Sequence, residues 1–215
     1  MTIRILIVDD HPLVRQGLIG LIAGESDMQV CAEASGVAEA QRLAAAERPE
    51  VAIIDLTLKD GSGMSLIKEF KDRYPQTRLL VLSMHDELMF AERALRAGAV
   101  GYVSKDEVSR TIVQAVRDVM AGKVYLSQRM TQRMMQRAVG ARADEALSPI
   151  ERLTNRELEI FEMIGQGLTI RQMAGRLELS PKTVETHREH IKEKLELKTT
   201  TELTKHAVQW ALENH

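Results

Sequence analysis

The chain has 215 residues, of which 44% are hydrophobic and 28% are charged, a balance typical of a soluble protein with a packed core. No apolar run approaches the roughly 20 residues that a membrane span requires. The apolar stretch near the start, in MTIRILIVDDHPL, is too short for a secretory signal. The single cysteine, Cys31, excludes an internal disulfide and fits a reducing cytoplasm.

Charge is unevenly distributed along the chain. Residues 1–122 carry a net charge of −4, residues 123–149 a net +3 and residues 150–215 a net −1, within an overall charge of −2. None of these segments is a polybasic tail. Any binding of nucleic acid therefore has to come from the local placement of basic side chains.

The first 122 residues alternate between short apolar runs and longer stretches with helical periodicity. The apolar runs are Ile3–Val8, Met28–Ala34, Val51–Asp55, Arg78–Ser83 and Val100–Ser104. The helical stretches are Leu13–Ile22, Val37–Ala46, Met64–Phe70, Phe90–Ala97 and Val108–Met120. Continuous apolar strands separated by helices are typical of a parallel sheet covered on both faces. We therefore predict that residues 1–122 form a doubly wound, five-stranded α/β domain of the flavodoxin-like type.

The remainder of the chain shows only helical signals. Residues 123–149 are interpreted as a linker with one helix, Gln128–Val139, followed by the helix breakers Gly140 and Pro149. Residues 150–215 are predicted to form a small all-α domain. Its first helix begins with the capping box Thr154-x-x-Glu157 and reaches Ile164. The predicted helices that follow are Thr169–Leu177, Ser180–Leu195 and Thr200–Leu212.

Several polar side chains fall at the carboxyl ends of the predicted strands. Asp9 and Asp10 follow the first strand, Asp55 ends the third, Ser83 ends the fourth and Lys105 follows the fifth. In doubly wound sheets, ligands bind at these ends, where the strand order reverses. The fold would therefore bring three carboxylates, a hydroxyl and an ammonium group into one cleft.

These residue types together indicate phosphoryl chemistry. Three crowded carboxylates repel one another unless a cation compensates, and Mg²⁺ is the usual cation where a phosphate is the co-ligand. A carboxylate such as Asp55 can attack phosphorus and form an aspartyl phosphate. Lys105 and the Ser83 hydroxyl would then stabilise the phosphoryl oxygens. Taken singly, Asp9-Asp10 could equally be a helix cap and Lys105 a solvated charge; their conjunction favours the phosphoryl site.

The motifs of residues 1–122 resemble the receiver domain of two-component response regulators. They are ILIVDDHPLVRQGL, IIDLTLKDGSGM, LLVLSMHDE and RALRAGAVGYVSKD. The resemblance implies that Asp55 accepts a phosphoryl group from a sensor histidine kinase. It also implies that Asp10, Asp55 and the main-chain carbonyl of Thr57 hold Mg²⁺, with Asp9 assisting.

The same resemblance implies roles for the strand-end residues. Ser83 and Tyr102 would be a switch pair, in which Ser83 is drawn to the phosphate and the Tyr102 ring turns inward, whereas Lys105 would pair with phosphorylated Asp55. Tyr102 could instead be a half-buried strand aromatic. Many receivers have proline after the lysine, but here Asp106 follows Lys105, as in the NarL/FixJ branch.

Two helices joined by a short turn predict a helix-turn-helix over 169–195, with the second helix as the recognition helix. Val184, His187, Ile191 and Leu195 share one stripe that faces the core. His187 on that stripe is interpreted as a satisfied core histidine rather than a ligand. Residues 180–198 carry five basic and four acidic side chains, which is unexpectedly acidic for a surface that binds DNA.

The segment LTNRELEIFEMIGQGLTIRQMAGRLELSPKTVETHREHIKEKLELKTTTEL resembles a LuxR-type DNA-binding domain. The resemblance implies binding of double-stranded promoter DNA by a homodimer when phosphorylated, with RNA polymerase as a further partner. The implied DNA contacts are Lys182, Thr183, Thr186, Arg188 and Lys192. Glu185 and Glu189 depart from the basic residues of some relatives, and Glu193 is expected to pair with a neighbouring Lys or Arg. The last helix, with Trp210, resembles the dimerisation helix, although Trp210 is equally explained as a packing residue.

Three functions compete on these observations. The first is a cytoplasmic DNA-binding response regulator that accepts a phosphoryl group on Asp55, is not an enzyme and loses the group by autodephosphorylation. The second is a regulator that acts through protein partners with a vestigial helix-turn-helix, which the acidic recognition face motivates. The third is a phosphatase that forms a phosphoaspartate, but Thr57 stands where a second acid would be needed two residues after Asp55.

Overall fold

The computed structural model describes residues 2–139, 149–177 and 179–214. The chain forms two compact units, Met1–Ala138 and Val139–His215, which we describe separately. The predicted helix breaker Gly140 and the residues up to 148 lie outside the described residues, whereas the predicted breaker Pro149 lies within them. Among the described helices, none combines the length and the apolar character that crossing a membrane requires.

The first unit contains the predicted five-stranded parallel sheet. The strands are β1 (Ile3–Val8), β2 (Met28–Ala34), β3 (Val51–Ile54), β4 (Arg78–Ser83) and β5 (Gly101–Ser104). Their order in the sheet is β2-β1-β3-β4-β5, which is the flavodoxin-like order. The strand order reverses between β1 and β3, so a site for a ligand is expected at the carboxyl ends of these two strands.

Five helices connect and follow these strands. They are α1 (Pro12–Ala23), α2 (Val37–Glu47), α3 (Gly63–Arg73), α4 (Glu87–Ala97) and α5 (Val108–Met120). Each predicted helix is present, and four of the five are longer than predicted, whereas α5 has the predicted bounds. One hydrophobic cluster joins β1, β3, β4 and β5 to α1 and α5, through residues such as Ile7, Ile53, Leu80, Ile22 and Val116. Alternate strand residues, including Leu6 and Val81, are also buried, because both faces of the sheet are covered.

The start of the predicted linker packs on the first unit. Tyr125 forms a parallel bridge with Gly101, with Tyr102 N donating to Tyr125 O at 2.9 Å, so this segment covers part of the β5 edge. Helix α6 (Gln128–Val139) has the predicted bounds. Met130 on α6 is buried. Residues 123–138 therefore lie within the first compact unit.

The second unit contains the predicted helices. They are α7 (Asn155–Gly165), α8 (Ile170–Arg176), α9 (Pro181–Lys194) and α10 (Thr200–Asn214). Thr154 and Glu157 form both arms of the predicted capping box. Ser180 caps α9, with Pro181 at its first position, as expected from the sequence.

The core of the second unit is built mainly from α7, α9 and α10. Val184 and Ile191 of α9 are fully buried. The Trp210 ring packs 5.7 Å from the Phe161 ring, centroid to centroid, and Trp210 is itself buried. Gly165 permits the close approach of α7 and α10, because a Cβ atom there would lie 2.6 Å from the Ala207 carbonyl oxygen. Helix α8 packs on α9, which gives the predicted helix-turn-helix.

Candidate functional site

The three predicted carboxylates meet at the reversal of strand order. Val8 pairs with Ile54, so the chain leaves β1 and β3 side by side, with Asp9 and Asp55 as the next residues. Asp55 N donates to Val8 O at 2.9 Å. Asp9, Asp10 and Asp55 are 1%, 8% and 3% exposed. This burial makes the ionised carboxylates costly unless a cation compensates them.

Lys105 supplies one such cation. Its Nζ lies 2.6 Å from Asp55 Oδ2 and 2.8 Å from Asp9 Oδ2. Burial alone would lower the pKa of Lys105, but the two carboxylates outweigh it and raise the pKa. Burial raises the pKa of Asp55, against the opposing effect of Lys105. One ammonium group therefore does not fully offset the cost of burying this cluster.

The remaining carboxylate oxygens leave room for a second cation. Asp9 Oδ1 accepts a hydrogen bond from His11 N at 2.8 Å. Helix α1, whose N-cap is His11, has no side-chain cap, so the helix cap that the sequence left open as an alternative is not formed. Asp10 Oδ1 lies 2.7 Å from His11 Nδ1. Within the described residues, Asp9 Oδ2 and Asp10 Oδ1 accept no well-oriented hydrogen bond, although Lys105 Nζ and His11 Nδ1 lie 2.8 Å and 2.7 Å from them, respectively. Ligand atoms of Asp9, Asp10, His11 and Asp55 all lie within 4.8 Å of one another, so the donor set fits a hard cation.

The predicted switch residues also lie at this end of the sheet. Val81 of β4 pairs with Ile54, which places Ser83 at the same sheet end as Asp55. Ser83 is fully buried and its Oγ accepts from His85 N at 3.2 Å. Tyr102 is 1% exposed rather than half-buried, and its hydroxyl donates to His85 O at 2.8 Å. The Tyr102 ring is thus turned inward.

Two histidines contact the site without having been predicted as members. His11 directly follows Asp9-Asp10 and contacts both. His85 Nε2 lies 2.8 Å from Thr57 Oγ1, and the His85 ring stacks on Phe90 at 4.6 Å. Thr57 N donates to Asp55 Oδ1 at 3.2 Å. The position of His85, two residues after Ser83, was the available sequence signal.

The candidate DNA contacts on α9 differ in how accessible they are. Lys182 and Thr186 are exposed, and the Thr186 hydroxyl donates to Lys182 O. The Thr183 hydroxyl lies 2.7 Å from Ser180 Oγ at the helix start. Arg188 is half-buried, and its Nε has no partner among the described residues. Lys192 has a side chain 15% exposed, paired with Glu189 at 2.8 Å.

The acidic residues of α9 are exposed, as their positions predicted. Glu185, Glu189 and Glu193 all lie on the solvent side. The expected ion pair of Glu193 is not found within the described part of the chain, whereas Glu189 pairs with Lys192. The i,i+3 spacing allows that pair. Lys192 is therefore partly neutralised by its own helix.

His187 differs from the expectation of a satisfied core histidine. Val184, Ile191 and Leu195 of its stripe are buried, but His187 is half-buried and its Nδ1 has no partner among the described residues. Burial lowers its pKa. The neighbouring Glu157 carboxylate is already occupied, since Oε2 lies 2.6 Å from Lys194 Nζ and 2.7 Å from Thr154 N.

Comparisons with known proteins agree with both domains. The sequence matches the family model of the response regulator receiver domain over residues 5–117. It matches that of the bacterial regulatory proteins of the luxR family over residues 151–207. The oxygen regulatory protein NreC of Staphylococcus epidermidis is 35% identical, with 96% of this chain and 97% of that protein covered. The DNA-binding transcriptional activator DevR/DosR of Mycobacterium tuberculosis is 36% identical, with 93% and 91% covered.

Solved structures show the same fold. RcsB of Salmonella enterica serovar Typhimurium, bound to promoter rprA in the presence of the phosphomimetic BeF3-, superposes with a TM-score of 0.70 at 20% identity, covering 97% of this chain and 99% of that one. A LuxR-family two-component response regulator from Aurantimonas has a TM-score of 0.60 at 35% identity, covering 65% of this chain and 99% of that one. The chain belongs to the NarL family of response regulators, with a receiver domain followed by a LuxR-type DNA-binding domain.

Proposed function

We propose that Asp55 is the phosphoacceptor of this response regulator and that a sensor histidine kinase is its donor. The observation that carries the proposal is the placement of Lys105 Nζ 2.6 Å from Asp55 Oδ2 in a buried carboxylate cluster. An Asp55 oxygen attacks phosphorus as the bond from phosphorus to the kinase imidazole nitrogen breaks. Lys105 remains close enough to neutralise charge on the transferred group.

The proposed metal is Mg²⁺, held by Asp9, Asp10, Asp55 and the main-chain carbonyl of Thr57. The close grouping of ligand atoms from Asp9, Asp10 and Asp55, which all lie within 4.8 Å of one another, supports this assignment. When bound, Mg²⁺ neutralises charge on the phosphoryl oxygens. His11 contacts Asp9 and Asp10, so its imidazole would have to leave these carboxylates for both of them to hold the metal.

The buried Ser83–Tyr102 pair is proposed to report phosphorylation. Ser83 Oγ accepts from His85 N, and Tyr102 donates to the His85 carbonyl. Both switch residues are therefore bonded to the same residue. A Ser83 hydroxyl that turns towards a phosphoryl oxygen exchanges its contact with His85, which gives the receiver two arrangements that phosphorylation can bias.

In the proposed output, phosphorylation favours a homodimer that binds promoter DNA and acts on RNA polymerase, and autodephosphorylation returns the protein to its starting state. The proposed DNA contacts are Lys182, Thr183, Thr186, Arg188 and Lys192. The exposure of Lys182 and Thr186 supports their assignment, whereas the ion pair with Glu189 makes Lys192 the weakest contact.

The test combines chemical labelling with DNA footprinting. We expect acetyl phosphate with Mg²⁺ to shift the wild type on a phosphate-affinity gel, and Asp55→Ala to show no shift. Footprinting on the organism's promoters is expected to show protection that increases on phosphorylation of the wild type only. Labelling that survives in Asp55→Ala would contradict the phosphoacceptor. The absence of any protected sequence would instead favour a regulator that acts through protein partners, which the exposed Glu185, Glu189 and Glu193 motivate.

A further inference from the structure

The loop after Asp55 forms a hairpin whose tip contacts a different helix. Residues Thr57–Leu58 and Gly61–Ser62 pair as a short antiparallel ribbon, with Lys59 and Asp60 in its turn. The Asp60 carboxylate accepts from Val37 N at 2.8 Å through Oδ1 and from Ala38 N at 3.4 Å through Oδ2. These amides are the first two of helix α2, so Asp60 caps a helix from 23 residues away along the chain.

Helix α2 has no cap of its own at this end. Its N-cap residue is Gly36, which offers no side chain to the helix amides. Steric contacts with the hairpin also favour glycine at this position. A Cβ atom on Gly36 would overlap the Asp60 carboxylate, and one on Gly61 would lie 2.9 Å from Val37 Cγ2. The hairpin tip therefore rests on the start of α2 with little room between them.

The base of the same hairpin belongs to the phosphoacceptor site. Thr57 N donates to Asp55 Oδ1, and the carbonyl of Thr57 is a ligand in the proposed metal site. A two-residue ribbon is marginal without further support. Fixing its tip on α2 therefore fixes the orientation of Thr57 at its base.

We infer that Asp60 is a positioning residue, which holds the phosphoacceptor hairpin on the N-terminus of α2 and so sets the geometry of Thr57 for metal binding and phosphoryl transfer. The inference rests on the proposed function of Asp55 and Thr57. It assigns Asp60 a role through its hydrogen bonds to Val37 and Ala38, and not through its charge. Asparagine can keep the shorter bond, from Val37 N to Oδ1, and loses only the longer one to Oδ2, because its Nδ2 cannot accept; alanine loses both.

The test measures Mg²⁺ affinity by calorimetry and the rate of labelling by acetyl phosphate in full-length variants. We expect Asp60→Ala to weaken Mg²⁺ binding and slow labelling by about 5-fold, the order expected for the loss of one helix cap, and Asp60→Asn to stay close to the wild type. Gly36→Ala, which displaces the carboxylate sterically, is expected to reproduce Asp60→Ala. Combining Gly36→Ala with Asp60→Ala should add little, because the clash needs both side chains.

Glu39→Ala is the matched control. Glu39 accepts from Ser35 N and Ser35 Oγ at the same end of α2 but does not touch the hairpin in any of these contacts. It should lower stability without changing Mg²⁺ affinity or labelling. Wild-type Mg²⁺ affinity and labelling in Asp60→Ala would overturn the inference, as would an Asp60→Asn variant as impaired as Asp60→Ala. If the wild type itself is not labelled, the proposed function fails, and the Mg²⁺ titrations still decide the role of Asp60.

Discussion

Lys105 Nζ lies 2.6 Å from Asp55 Oδ2, and the side chains of both residues are less than one tenth exposed. The same ammonium group reaches Asp9 Oδ2 at 2.8 Å. One cation therefore serves two buried carboxylates that come from different strands. The stability of the receiver domain and the chemistry that we propose for Asp55 are therefore expected to depend on the same three side chains.

Replacing Lys105 with methionine should destabilise the metal-free protein. Lys105→Met keeps the length of the side chain but leaves Asp55 and Asp9 buried without their cation. Removing one partner of a buried ion pair typically costs about 3 kcal/mol or more. Urea unfolding followed by circular dichroism in the presence of a chelator would measure the loss. Added Mg²⁺ is expected to restore part of it.

Lys123→Met is the control for that measurement. Lys123 pairs with Asp118 at 3.2 Å, but its side chain is 69% exposed. An exposed pair of this kind contributes little to stability, because water screens both charges. Equal losses of unfolding free energy in Lys105→Met and Lys123→Met would show that the buried ion pair of Lys105 with Asp55 stabilises the protein no more than an exposed pair does.

Ionisation of Asp55 should make the stability of the receiver domain depend on pH, and the burial of its carboxylate sets the direction of that dependence. Burial raises the pKa of folded Asp55 above the ordinary value of 3.8. The folded state therefore holds its proton more tightly, and the associated stability is present below pH 3.8 and lost as the pH rises through the higher, folded-state pKa. Asp55→Asn mimics the neutral form, so we expect it to stabilise the metal-free protein at pH 7.

The control for Asp55→Asn is Asp118→Asn. Hydrogen bonds from Gln114 and Lys123 lower the pKa of Asp118, so its ionised form is the one that folding favours. Asp118→Asn should therefore not stabilise the protein at pH 7. The advantage of Asp55→Asn should also shrink as the pH approaches 3.8. A constant advantage at all pH values would contradict the assignment to Asp55 ionisation.

How much of this site the sequence predicts depends on which part of the structure sets each contact. Asp9, Asp55 and Ser83 follow from the topology, because parallel strands bring their carboxyl ends to one edge of the sheet. His85 could not be assigned in this way, because its contact with Thr57 depends on a side-chain rotamer. The helix-capping contact of Asp60 could not be predicted either, since Val37 N lies 23 residues away along the chain, at the start of another helix.

In the second domain, too, some contacts could be predicted from the sequence and others could not. The capping box of Thr154 and Glu157 is a local pattern and is present as predicted. The ion pair of Lys192 with Glu189 follows the local i,i+3 pattern. The pair expected for Glu193 was with adjacent basic residues, which do not face one another on a helix. The linker prediction likewise missed the bridge between Tyr125 and Gly101, since one residue of strand pairing leaves no periodic signal.

Ionised Glu157 should stabilise the DNA-binding domain at pH values above the ordinary pKa of a glutamate side chain. Although burial opposes its ionisation, the hydrogen bonds from Lys194 and Thr154 lower the pKa of Glu157 below 4.5. This contribution is present above pH 4.5 and lost as the pH falls through the lower, folded-state pKa. We expect Glu157→Gln to cost about 1–2 kcal/mol at pH 7 and progressively less in acid.

Trp210 fluorescence measures this effect selectively, because Trp210 is the only tryptophan in the chain and packs on Phe161 in the same unit. Glu202→Gln is the matched control. Glu202 accepts hydrogen bonds from Lys198 N and Thr199 N but is exposed, so the loss should be smaller. If the difference in unfolding free energy between the wild type and Glu157→Gln grew on acidification, the predicted direction of the pH dependence would be wrong.

The two candidate lysines of α9 should differ in their contribution to DNA binding. Lys182 is exposed at the start of the helix, whereas Lys192 is mostly buried and paired with Glu189. Each phosphate contact adds roughly 0.9 to the slope of log affinity against log salt concentration. We expect Lys182→Ala to reduce this slope by about 1, and Lys192→Ala to change it much less. Fluorescence anisotropy on one promoter fragment over a range of salt concentrations would give both slopes.

Glu189→Gln separates the pairing of Lys192 from its position. Removing the carboxylate frees the Lys192 ammonium for phosphate and removes a negative charge from the recognition face. The variant should therefore bind DNA more tightly at low salt, with a steeper slope than the wild type. Combining Glu189→Gln with Lys192→Ala should lose this steeper slope if Lys192 is the group released. A steeper slope that persists in the double variant would mean that Glu189 acts by repelling phosphate directly, and the ion pair would then have no part in setting the affinity.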